Sequence, residues 1–88
     1  MNDDEILILA EFIRRSPNRL KVLKSLDNKR VLIPTEIAVE TGIHNNNVSR
    51  ALKQLKQNGL VYLINPDAKK GRMYRLTDYG MEVLKKLL

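Results

Sequence analysis

Apolar residues fall at Ile6, Leu9, Ala10 and Ile13, the spacing of one helical face, directly behind the acids Asp3, Asp4 and Glu5. Acids suit a helix N-terminus, where the backbone dipole favours negative charge. Leu7, Ile8 and Phe12 widen the apolar surface beyond one stripe, so this helix is expected to be covered on two sides. Ser16-Pro17 then starts a second helix, with serine at the N-cap and proline in the first turn. Leu20, Val22, Leu23 and Leu26 form its inner face, Arg19, Lys21 and Lys24 lie outside, and Asp27-Asn28 ends it in a turn.

Val31-Leu32-Ile33 is a β-branched run that predicts a short strand. Pro34 opens a third helix with Glu36 in its first turn and Ile37, Ala38 and Thr41 packing inward. Gly42 suits the left-handed residue that ends it, and Ile43 plugs the turn into the core. A fourth helix follows over residues 45–58. At about 100° per residue, Val48, Ala51, Leu52 and Leu55 share one face. Asn46, Arg50, Lys53 and Gln57 fall opposite, with Asn47, Ser49 and Gln54 at the flanks, and no acid occurs from Asn45 to Asn58.

Asn58-Gly59 stops that helix. Residues 60–64 and 73–76 read as two strands around the turn-forming, basic loop 65–72, which is a hairpin. With one tyrosine on either strand, Tyr62 and Tyr74 are expected to pair across it rather than stack on bases. Thr77 caps a final helix striped by Met81, Leu84 and Leu88, with Val83 and Leu87 beside them. The expected fold is a single domain over residues 1–88, mainly α with a small β-wing, in the order α-α-β-α-α-β-β-α. Its centre is a helix-turn-helix, in which one helix braces and the next lies in the DNA major groove.

Charge sharpens that picture. The net charge is +6 and uneven: residues 1–13 hold four acids and no base, whereas residues 14–30 hold seven bases and one acid. Further basic blocks lie in 45–59 and 60–76, so a polyanionic partner is favoured. Cysteine is absent, which removes disulfides, thiol catalysis and cysteine metal sites. No nucleophile–histidine arrangement and no glycine-rich phosphate loop is present, so neither enzymatic activity nor a cofactor is expected. No apolar run reaches the length of a membrane span, and Met1 is followed by acids rather than the bases of a secretory signal, so the expected location is the cytoplasm.

The ordered segments SPNRLKVLKSL, TEIAVETGIHNNNVSRALKQLKQNGLV and RMYRLTDYGMEVL resemble a winged helix-turn-helix transcription regulator of the ArsR/MarR type, from about Ser16 to Leu84. The resemblance implies double-stranded DNA as partner, with Ser49-Arg50 as the pair held against it. It departs from ArsR metal sensors in having no cysteine and histidine cluster, and from MarR proteins in its short terminal helices.

Asparagine can donate and accept to one adenine edge, and arginine can grip guanine or a phosphate. Capping is the simpler role for Asn45, groove contact for Asn46, and either for Asn47. Arg50 is the candidate base or phosphate contact, Lys53 a phosphate contact one turn on, and Ser49 and Gln54 complete the varied polar set. His44, the sole histidine, suits a cap or a phosphate contact. Lys69, Lys70 and Arg72 are the candidate wing contacts to backbone or minor groove. Part of the basic set Arg14, Arg15, Arg19, Lys21, Lys24, Lys29 and Arg30 widens the phosphate footprint.

The function expected is a sequence-specific, homodimeric DNA-binding transcription regulator, with the recognition helix at 45–58 and the wing at 65–72. The terminal helices 3–14 and 78–88, through Leu7, Ile8, Phe12, Leu84, Leu87 and Leu88, form the candidate dimer surface. The alternatives are a winged-helix protein-interaction adaptor and a sequence-blind architectural DNA binder.

Overall fold

A computed structural model describes residues 3–88. These form α1 (Asp3–Arg14), α2 (Pro17–Ser25), α3 (Pro34–Thr41), α4 (Asn45–Gln57), β1 (Val61–Leu63), β2 (Tyr74–Leu76) and α5 (Asp78–Leu87). Helix starts follow local chemistry. Ser16 Oγ accepts the Arg19 N–H at 3.3 Å, with Pro17 in the first turn of α2. Ile33, at the N-cap of α3, has no side-chain acceptor, so the Glu36 carboxylate reaches back to the Ile33 N–H at 2.9 Å.

One core joins all five helices to the inner face of the hairpin. Ile6, Ala10 and Ile13 of α1 meet it beside Val83 and Leu84 of α5, while Val22, Leu23, Leu26, Ile37 and Ile43 pack with Val48, Leu52 and Leu55 of α4. Each large aliphatic side chain buried there contributes roughly 1.5–3 kcal/mol of transfer free energy. Among the described residues no buried side-chain polar atom lacks a partner. No helix among them is long and apolar enough to cross a membrane.

The register of the hairpin sets Val61 against Leu76, Tyr62 against Arg75 and Leu63 against Tyr74. The tyrosine pair expected across the strands therefore does not form. An offset of one residue puts Tyr74 on the buried face and Tyr62 on the outer one. The strand expected at 31–33 contracts to a single bridge, Leu32 to Tyr74, with its two backbone bonds at 3.1 and 2.9 Å. Only a short extended stretch is available there. Asn28 and Lys29 turn the chain in left-handed conformations (φ 61° and 59°), and Pro34 already starts α3.

The end of α4 is tied to the start of α5. The Leu60 N–H donates to the Leu55 carbonyl at 2.9 Å, closing the helix end, and Leu60 is fully buried. Thr77 then grips this corner: its hydroxyl donates to the Gly59 carbonyl at 2.6 Å, and its N–H donates to the Leu60 carbonyl at 3.1 Å. The same hydroxyl caps α5 by accepting the Gly80 N–H at 2.9 Å. Gly80 lies so close to Leu60 that a Cβ there would overlap the Leu60 carbonyl oxygen and stand 2.9 Å from its carbon.

The inner face of α5 is Gly80, Val83 and Leu84. Leu84, expected on a subunit surface, thus lies in the core of its own protomer, because the Gly80 contact rotates that face inward. Phe12 and Leu87 are half-buried against the core, and Leu7, Ile8 and Leu88 stay outside, at 54%, 69% and 76% exposure.

Gly80→Ala is expected to destabilise the fold. Alanine improves helix propensity by about 1 kcal/mol, but the overlap is with backbone that cannot rotate away, and overpacking costs about 1–3 kcal/mol. Thermal unfolding should show the midpoint fall by several degrees; a higher midpoint would refute the close-packed corner.

Candidate nucleic-acid interface

The turn before α4 is built by short-range bonds. The Thr41 hydroxyl donates to the Ile37 carbonyl at 2.7 Å, and the Gly42 N–H donates to the Ala38 carbonyl at 2.9 Å. Gly42 has φ 74°, a conformation glycine adopts without a Cβ penalty. Ile43 then drops into the core and His44 becomes the N-cap of α4, its Nδ1 accepting the Asn46 N–H at 3.3 Å. The capping role expected of Asn45 therefore belongs to His44. Asn45 is the first helical residue, one position too late to cap, and its side chain is exposed.

Burial divides α4 as its sequence does. Val48, Ala51, Leu52 and Leu55 are buried, whereas Asn46, Ser49, Arg50, Lys53 and Gln57 are exposed. At thirteen residues, the helix is about 20 Å long. The ion pairs among the described residues are Arg14–Glu11, Arg30–Glu40 and Lys85–Glu82, so neither Arg50 nor Lys53 is neutralised within the protomer. Both lie on an exposed helix face without carboxylates.

The flanks are more constrained. Asn47 and Gln54 are half-buried, beside the start of α2. Arg19, expected outside, instead lies 3.9 Å over the Phe12 ring and donates to the Phe12 carbonyl and to Gln54 Oε1, both at 2.9 Å. Its charge is spent on joining α1, α2 and α4. Because Gln54 turns its oxygen to Arg19, its amide nitrogen is the part left to donate to an outside acceptor. A cleft of about 200 Å³ opens here, lined by Ser16, Asn18, Arg19, Asn47, Arg50 and Gln54 over Ala51. Asn18 was not anticipated at this edge; its position in the first turn of α2, just after Ser16-Pro17, is the signal that could have pointed to it.

The wing root is stapled by Asn65, whose Nδ2 donates to the Gly71 carbonyl at 3.0 Å and whose Oδ1 accepts the Met73 N–H at 2.8 Å. Beyond this staple Lys69 and Lys70 are exposed and Arg72 is half-buried. These three share a depression of about 340 Å³ with Ile33, Pro34, Thr35 and Gly71, beside the start of α3. The seven bases of residues 14–30 divide. Arg30 is bound to Glu40 at 2.8 Å and to the Ser25 carbonyl at 3.1 Å, and Arg14 donates to the Lys86 carbonyl at 3.1 Å. Arg15, Lys21, Lys24 and Lys29 remain exposed on the surface. Among the described residues no cluster of three or more histidine, cysteine or carboxylate side chains could hold a metal ion.

This architecture has close structural counterparts. TubR from pBtoxis of Bacillus thuringiensis serovar israelensis, solved bound to 24 bp of tubC, superposes with a TM-score of 0.80 at 20% identity, over 98% of this chain and 91% of that one. RV1404 from Mycobacterium tuberculosis gives 0.75 at 19% identity, over 96% of this chain and 57% of that one. A mutant MarR from E. coli complexed with operator DNA gives 0.70 at 24% identity, over 98% and 64%. The chain therefore spans nearly all of TubR but only about three fifths of the other two. No curated protein matches the sequence. The model of the family described as bacterial regulatory protein, arsR family, matches residues 16–62, more than half of the chain, from the cap of α2 through the helix-turn-helix into β1. With its two-helix core and hairpin wing, the chain belongs to the arsR family of bacterial regulatory proteins and is a winged-helix transcription regulator.

Proposed function

We propose that this protein is a sequence-specific regulator that binds double-stranded DNA as a homodimer, with α4 in the major groove and wing residues 65–72 on the flanking backbone or minor groove. The observation that carries the proposal is the exposed, acid-free face of α4, where Arg50 and Lys53 have no carboxylate partner. An unpaired cation loses little on meeting a phosphate, whereas one already paired must give up that partner. The DNA complexes of TubR and MarR support the same partner for this fold.

Arg50 is the base-reading or phosphate contact, Lys53 a phosphate contact, and Asn45, Asn46, Asn47 and Ser49 the polar set at the leading end of the helix. Gln54 acts as a donor at the flank, through the nitrogen that Arg19 leaves free. Lys69, Lys70 and Arg72 supply the wing contacts. The dimer surface is the exposed apolar part of the terminal helices, Leu7, Ile8 and Leu88, with the half-buried Phe12 and Leu87 beneath. A two-fold dimer reads half-sites about one helical turn, roughly 10 bp, apart or a multiple of that.

Selection of bound duplexes from a random pool, followed by titration of the winner over a salt series, tests this. Arg50→Ala and Lys53→Ala are each expected to weaken binding by about 1–3 kcal/mol and to lower the salt slope by about one for a lost phosphate contact. Wild-type affinity in both variants would exclude this face, and equal affinity for selected and random duplexes would exclude sequence specificity. In sedimentation, the doubly charged variant Leu7→Glu with Ile8→Glu should run as a monomer while the parent runs as a dimer. A variant that stays dimeric would move the subunit contact elsewhere.

A further inference from the structure

We propose that His44 is a further DNA-contacting residue. As the neutral Nε2–H tautomer it caps α4 through Nδ1 and donates Nε2–H to a phosphodiester oxygen of the bound duplex. This rests on the DNA-binding reading above and adds a residue to it.

The hydrogen bond at the helix start sets which ring nitrogen accepts. Nδ1 lies 3.3 Å from the Asn46 nitrogen, whose N–H points at it, so Nδ1 must present a lone pair. A neutral imidazole with its lone pair on Nδ1 carries its single proton on Nε2. An imidazolium would set a second N–H against that of Asn46 and lose the cap. The two nitrogens flank Cε1 and their bonding directions diverge widely, so the Nε2–H points away from the helix end. The side chain is exposed, and among the described residues none accepts a hydrogen bond from Nε2.

What surrounds the ring selects an oxygen acceptor supplied from outside. Its neighbours Asn45 and Asn46 are exposed and uncharged. No acid occurs between His44 and Asn58. Glu40, the acid just upstream in sequence, accepts both contacts from Arg30, at 2.8 and 3.0 Å. A serine in this position would cap equally well, but its hydroxyl would lack the reach of an imidazole whose far nitrogen remains free. One ring therefore fixes the leading end of α4 and measures its distance from the phosphate rail. Because it does so uncharged, it adds affinity without releasing a counterion.

That last property makes the proposal testable. His44 is the only histidine, so nitrogen NMR of the free protein reports on one ring. Nδ1 is expected as the unprotonated, pyridine-type nitrogen and Nε2 as the protonated one; a dominant Nδ1–H tautomer would overturn the assignment. His44→Ser should fold with an unchanged melting point, since serine restores the cap. At pH 7 it should bind the selected duplex about tenfold more weakly, the worth of one hydrogen bond to a charged acceptor. Its plot of log affinity against log salt should run parallel to that of the parent. Equal affinity would mean that the ring only caps, and a slope shallower by about one would mean that it binds as imidazolium; either result refutes the proposal. Failure of the parent protein to bind any duplex would instead remove the DNA-binding reading itself, and this proposal with it.

Discussion

The corner at Gly59 and Leu60 is the constraint on which the functional geometry depends. It ends α4, begins β1 and receives the first turn of α5, all within a few residues. Leu60 anchors it in the core, and Thr77 holds it with one side-chain and one backbone hydrogen bond. Gly80 allows the two backbones to touch. A helix and a hairpin joined by a loose loop would have independent orientations. Here the direction of α4 and the root of the wing are set by the same buried contact.

A second constraint is how the cations are distributed. The chain has an excess of positive charge, but much of the arginine inventory is committed internally. Arg19 braces three helices through a ring contact and two hydrogen bonds, Arg30 closes the turn between α2 and α3 onto Glu40, and Arg14 ties α1 to the end of α5. The exposed ion pairs Arg30–Glu40 and Arg14–Glu11 add little stability singly, about 0–1 kcal/mol. Their larger consequence is subtraction: they remove Glu40 and Glu11 as competitors for the cations that remain. Arg50 and Lys53 on α4 stay unneutralised, and Lys69 and Lys70 extend from the wing.

The apolar surface follows a similar logic. A domain of this size has a small core, and most of its large aliphatic side chains are already within it. Those left outside on α1, Leu7 and Ile8, lie among the acids Asp4 and Glu11, on the negatively charged part of an otherwise basic chain. The basic face of α4 and the exposed apolar part of α1 thus lie on segments of opposite charge.

Much of this protein was determined by sequence alone, because its signals are local. Helical spacing marked the buried face of α4 as Val48, Ala51, Leu52 and Leu55, and Ser16-Pro17, Gly42, Gly59 and Thr77 marked helix ends, since caps and left-handed residues act within one turn. The absence of acids from Asn45 to Asn58 needed no structure to see. What only the tertiary structure decided are relations between distant segments. These are the one-residue register that separates Tyr62 from Tyr74, the contraction of residues 31–33 to one bridge, the inward turn of Leu84, and the pairing of Arg19 with Gln54 thirty-five positions away. Periodicity gives the face of an element but not its partner. Which cation is tied into the fold and which stays exposed depends on packing that brings remote side chains within hydrogen-bonding distance.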